Sequence, residues 1–196
     1  MADFTDTLTD AHIEMIAKQP VFFVATAAAD ARINLSPKGY DAFRVLAPDR
    51  VAYLDIAGSG NETHAHLEAD GRITVMFCNF DRPALILRIY GRGTPVLPQD
   101  PAFEALAEHF TLLPGTRQIF DIAVESVQTS CGWGVPFMDY RKDRETLKKA
   151  HRGRDPEEYV AKRQRETRSI DGLPVTPPDR YIDGEDEHEA EKKSVS

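Results

Sequence analysis

The sequence predicts a mainly β, α+β fold: a small antiparallel barrel carrying helices on its outside. Two observations lead there. About six short runs rich in Val, Ile, Leu, Phe and Tyr lie between residues 21 and 130, bounded by Gly, Pro, Asn and Asp. Only three or four short helical patterns accompany them, too few to supply the crossover that every parallel strand pair needs. Sheets connected this way bury one face and close on themselves.

Taken in order, Thr9 reads as the N-cap of a first helix ending near Lys18, with Leu8 and Ile13 at hydrophobic-staple positions. Residues 21–27 (VFFVATA) form a buried strand and 32–36 the next, which Pro37 is expected to break. A polar connection through 43–46 leads to a strand at 51–56 (VAYLDI). A helix follows over 60–70, with Ser59 as N-cap, Glu62 completing a capping box and Gly71 as its stop. Residues 72–77 and 84–90 are further strands. Gly91 and Gly93 mark a bend or bulge in the second, which continues toward Leu97. Asp100 and Pro101 read as N-cap and N1 of a helix through His109. Residues 118–130 are the last long strand. A rigid loop, Gly132-Trp133-Gly134-Val135-Pro136, follows it. Helices are expected near 144–150 and after the Asp155 cap.

With 196 residues, 41% of them apolar and ten Phe, the chain can build one real core. The expected organisation is a barrel over 1–140, a basic helical extension over 141–170 and an acidic, disordered tail over 171–196. Eleven Lys/Arg stand against six Asp/Glu in 141–169, and eight Asp/Glu against three Lys/Arg from Ile170 onward. A solvated basic helix with a free tail accounts for this, as does a tail folded back on the basic face. The net charge of −8 argues against broad nucleic-acid binding. No apolar run is long enough to span a membrane, and no secretory signal opens the chain, so a cytoplasmic location is expected. Cys78 and Cys131 are too few for a disulfide framework, and Cys131 reads as a small buried residue.

The chemistry concentrates in Gly58-Ser59-Gly60-Asn61-Glu62-Thr63, a glycine turn between a strand and a helix N-terminus. Unpaired N–H groups and the helix dipole make such a turn an anion site. It lacks the Gly-Lys-Ser/Thr of a Walker A loop and the third glycine of a dinucleotide fingerprint. Ser36 and Lys38, just upstream, offer a hydroxyl and an ammonium to the same anion. Arg88, inside the apolar run LILRIY, must be paired or face a ligand or an interface. Trp133 is either a flat surface for a cofactor ring or a packing plug. His64 and His66 point to different helix faces and do not form a metal pair. Glu62 and His66 stand one turn apart, where capping explains Glu62 better than metal ligation does, so no metal is expected.

These pieces, in this order, resemble the pyridoxamine 5′-phosphate oxidase-related family of FMN-binding split barrels. The residues that carry the likeness are Asn34-Leu35-Ser36-Pro37-Lys38-Gly39, the run from Val51 to Ser59, and Leu87-Arg88-Ile89-Tyr90-Gly91-Arg92-Gly93. Arg168-Ser169-Ile170-Asp171-Gly172-Leu173-Pro174 is similar to the closing run of a bacterial subgroup. The resemblance implies an antiparallel split β-barrel with peripheral helices, a homodimer, and FMN held between subunits. Lys38 matches the lysine facing the FMN phosphate, Gly58-Ser59 the phosphate turn, and Arg88 the arginine near the flavin. Where the oxidases carry Arg-Lys after Gly-Ser, this chain has Gly60-Asn61, which implies a different clamp built from Ser36, Lys38, Asn61 and Thr63. The Arg-Leu-His-Asp-Arg segment that grips pyridoxal phosphate has no counterpart near Arg141. The expected activity is therefore an FMN-dependent oxidoreductase acting on a small molecule other than pyridoxamine phosphate, reduced by a nicotinamide or deazaflavin donor. A non-enzymatic flavin or haem carrier is the alternative on the same barrel.

Overall fold

A computed structural model describes residues 2–184. Eight strands form one antiparallel sheet: β1 (Asp3–Thr5), β2 (Phe22–Thr26), β3 (Asn34–Lys38), β4 (Phe43–Ala47), β5 (Arg50–Ile56), β6 (Arg72–Cys78), β7 (Leu85–Val96) and β8 (Thr116–Cys131). Their order is β3-β2-β6-β7-β8-β5-β4, with β1 added on β8. Helices α1 (Asp10–Ala17), α2 (Glu62–Ala69), α3 (Phe103–Ala107), α4 (Thr146–His151) and α5 (Pro156–Arg163) complete the fold. The expected split barrel with peripheral helices is what the chain forms.

Period-two alternation drives the core. Phe22 and Val24 of β2, Ile73, Val75 and Phe77 of β6, and Leu87 and Ile89 of β7 point inward. Phe22, Phe43, Tyr53 and Phe77 pack ring against ring, with centroids 5.0–5.7 Å apart. Strands β7 and β8 pair along the whole of β7, with a register shift at Tyr90/Gly91. There the two backbones approach so closely that a Cβ on Gly91 would overlap the Ala123 carbonyl. Two residues on, a Cβ on Gly93 would stand 2.8 Å from Leu67 Cδ1, so the missing side chain lets α2 seat against the barrel wall.

Several local expectations change. Residues 43–46 are not a connection but strand β4, paired with β5. Pro37 does not end its strand: β3 is an edge of the sheet, where a missing N–H costs no ladder bond, and it runs on to Lys38 opposite Phe22. Strand β1 carries no strong alternation and was not expected. The N-cap of α2 is Asn61 rather than Ser59, without a side-chain capping bond. Glu62 is therefore the first helical residue and closes no capping box. Helix α3 begins two residues late, because Asp100 accepts the Leu97 N–H at 2.7 Å instead of capping it. Cys131 is exposed, while Cys78 is buried.

Residues 171–184 are packed on the barrel rather than free. Val175 is buried, Gly115 N–H donates to the Ile182 carbonyl at 2.9 Å, and Tyr181 donates to His151 O at 2.6 Å. The rest of the expected tail, 185–196, lies outside the described residues. No helix among the described residues is long and apolar enough to cross a membrane.

Candidate functional site

Strand β3 alternates Leu35 and Pro37 outward with Asn34, Ser36 and Lys38 on the opposite face. That face looks onto the turn after β5 and the start of α2. Ser36, Lys38, Gly58, Ser59, Asn61 and Thr63 all line one cavity of about 350 Å³. The sequence expectation brought these six together, and the fold does so by strand alternation and by the β5-to-α2 turn. The N–H groups of Gly58, Ser59 and Gly60 have no partner among the described residues. Ser36 Oγ is buried and likewise unpaired. Asn34 holds Thr63, donating to its Oγ1 at 3.1 Å.

Arg88 and Trp133 do not line this cavity. Arg88 lies on β7 and donates to Ser130 Oγ at 3.1 Å. Trp133 is 87% exposed beyond β8, so within this chain it plugs nothing.

The floor is a polar network that sequence reading missed. Asp55, 2% exposed, accepts from Lys38 Nζ at 3.2 Å, from Arg117 Nε and Nη2 at 3.0 and 2.7 Å, and from Gln118 Nε2 at 2.9 Å. Burial alone would raise its pKa. Arg117 above all, then Lys38 and the Gln118 bond, bring the carboxyl well below the usual range, so it stays ionised. Arg117 Nη1 also donates to the Gly60 carbonyl at 2.9 Å, fixing the turn. Gln118 donates to Asn61 Oδ1 at 2.9 Å and accepts from His64 Nδ1 at 2.6 Å, while Thr176 N–H donates to His64 Nε2 at 3.2 Å. His64 Nε2 also lies 3.1 Å from Glu68 Oε1, one turn along α2. The available signals were a charge inside the apolar run VAYLDIA and an Arg-Gln pair opening β8.

A second, larger cavity of about 650 Å³ shares the Ser59–Glu62 wall and adds Arg163, Arg165 and Arg168. Arg163, buried at the end of α5, points its guanidinium at the Gly58 carbonyl, 3.4 and 3.5 Å away. Lys38, Arg117 and Arg163 thus approach the glycine turn from three elements.

The family model described as pyridoxamine 5′-phosphate oxidase matches residues 8–131. The pyridoxamine 5′-phosphate oxidase family protein ustO of Aspergillus flavus is 37% identical over 196 residues, covering 89% of this chain and 78% of the relative. Among solved structures, a candidate pyridoxamine 5′-phosphate oxidase of Lactobacillus delbrueckii superposes with a TM-score of 0.51 at 15% identity, over 63% of this chain and 94% of the other. A histidine-to-alanine variant of HupZ from Group A Streptococcus gives 0.50 at 23% identity, over 62% and 98%. These two structures support the fold, and the matched model with the fungal relative fixes the kinship: the chain belongs to the pyridoxamine 5′-phosphate oxidase family.

Proposed function

We propose that this protein is an FMN-binding oxidoreductase, working as a homodimer on a small molecule other than pyridoxamine phosphate, with a nicotinamide or deazaflavin as electron donor. The observation that carries the cofactor assignment is the cavity itself. It presents an orphaned Ser36 hydroxyl, three N–H groups in the glycine turn before α2 that have no partner among the described residues, and Lys38. A phosphate dianion satisfies these donors at once. The family's oxidases place Arg-Lys after Gly-Ser. Here Gly60-Asn61 supply no charge; Arg117 lines the cavity from β8, while Arg163, paired with Glu166, reaches the Gly58 carbonyl from the neighbouring cavity.

Ser36, Lys38, Asn61 and Thr63 form the clamp of this reading, with Gly58 and Ser59 supplying backbone donors. Arg117 and Asp55 hold the turn in place. When bound, FMN supplies the redox chemistry, while the chain binds, orients and tunes it. The homodimer reading is supported by Leu35, 65% exposed on the edge strand β3, and by Ile33, 79% exposed just before that strand.

Purified protein is expected to be yellow, and to release FMN identified by absorbance and mass. A charge-assisted hydrogen bond contributes about 1.5–3 kcal/mol. Lys38→Ala with Thr63→Ala should therefore weaken FMN binding roughly 10- to 100-fold. Unchanged affinity sinks the clamp. Bound flavin that no nicotinamide or deazaflavin donor reduces makes the protein a carrier instead.

A further inference from the structure

The failed capping box leaves Glu62 without its expected task, and its surroundings suggest another. Glu62 and His66 stand one turn apart on α2. One ligand atom from each lies within 4.8 Å of the others and of a carboxylate oxygen of Asp171. His66 is 1% exposed. Its Nδ1 faces Thr26 Oγ1 at 3.1 Å, and its Nε2 is buried with no hydrogen-bond partner. Glu62 Oε2 is also buried and unpaired, while Oε1 accepts the Ile170 N–H at 2.9 Å. Asp171 is oriented by Arg32, whose N–H donates to Oδ2 at 2.8 Å and whose guanidinium pairs with Oδ1.

An unpaired imidazole nitrogen and an unpaired carboxylate oxygen, both buried and close together, are costly unless something positive or hydrogen-bonding joins them. Arg32 offsets one of the two carboxylates, and the other has no cation paired with it among the described residues. With Nδ1–H donated to Thr26, Nε2 presents its lone pair, the arrangement in which an outer hydroxyl orients a metal-bound histidine. We propose that Glu62, His66 and Asp171 form a site for a divalent first-row transition metal. One imidazole with two carboxylates suits Zn²⁺ or Mn²⁺ better than Mg²⁺ or Ca²⁺, and three protein ligands leave positions open to water. The consequence is mechanical. Asp171 sits in the turn closed by the Arg168–Pro174 bridge, and residues 167–170 wall the larger basic cavity. The ion clasps this C-terminal strap to α2. The site does not depend on the flavin reading.

The test uses tag-free, full-length, EDTA-stripped protein titrated calorimetrically with ZnCl₂ and separately with MnCl₂. One ion per chain should bind, and it should slow proteolysis after Arg165 and Arg168. Glu62→Gln and Asp171→Asn, checked for fold by circular dichroism, should each weaken binding at least ~10-fold. Asp171→Asn also removes the Arg32 ion pair. Arg32→Ala keeps the backbone N–H that orients Asp171 and isolates that loss, so its metal affinity should fall less than that of Asp171→Asn, and an equal fall overturns Asp171 as a ligand. No binding of either ion at millimolar concentration overturns the proposal. So does binding that Glu62→Gln and Asp171→Asn leave unchanged, which would place the ion elsewhere on the chain. If a variant fails to fold, the proteolysis comparison on the unsubstituted protein decides: equal cleavage with and without metal overturns the clasp.

Discussion

Asp55→Asn is the perturbation with the largest calculable consequence. The Asp55 and Arg117 side chains are 2% and 6% exposed, so neither charge can be rescued by water. Removing one partner of a buried pair leaves the other uncompensated, at roughly 3–5 kcal/mol. The three groups on Asp55 are not equivalent. Arg117 retains only the Gly60 carbonyl and the Asn oxygen, whereas Lys38, with a quarter of its side chain exposed, can swing into solvent. Arg117→Met leaves Asp55 with Lys38 and Gln118 and should cost less than Asp55→Asn. Lys38→Met breaks a partly exposed pair and should cost about 1 kcal/mol or less. The assay is urea unfolding followed by fluorescence and circular dichroism. With a slope near 2 kcal/mol per M, Asp55→Asn should move the midpoint down by roughly 1.5–2.5 M. The reasoning is refuted if Asp55→Asn costs under about 1 kcal/mol, or if Lys38→Met proves the most damaging of the three.

The same carboxyl predicts an acid signature. Its folded pKa lies below the ordinary 3.8, so its contribution is fully present above pH 3.8 and is lost as pH falls from there toward the folded value. The gap between the unfolding midpoints of the unsubstituted protein and of Asp55→Asn, measured between pH 6 and pH 2.5, should therefore begin to narrow below pH 4; a constant gap contradicts the assignment. At the β7–β8 bulge, Gly91→Ala drives a methyl group into the Ala123 carbonyl, a backbone atom that side-chain motion cannot clear. A loss of roughly 1–3 kcal/mol is expected, and an unchanged melting temperature would count against the close approach.

What could be read without the fold was what neighbours in sequence decide. Thr9 caps α1 through the His12 N–H, and Asp155 caps α5 through the Glu158 N–H at 2.8 Å, because these contacts span three residues. The alternating strands and the bulge at Gly91 were legible for the same reason: a two-residue period and a missing Cβ are local properties. Strand β4 was not: it is half-buried along its whole length, so no clean alternation marks it, and pairing with β5 makes it a strand, whereas β3 was legible but placed two residues early because Pro37 does not break an edge.

The glycine turn with Ser36 and Lys38 was visible as a set, since each carries its own chemical signature. The charges that serve the turn were not visible. Asp55 meets Gln118 because β5 and β8 pair in that register, and this places Arg117 on the same carboxylate. Arg163 and Asp171 arrive from a C-terminal segment whose path nothing local specifies. The sequence by itself determined the barrel, the caps of α1 and α5 and the glycine turn, through contacts a few residues apart. Only the tertiary structure decided which charges meet there, because register and chain path join residues 60 to 110 positions apart, and at that range residue type carries no memory of its partner.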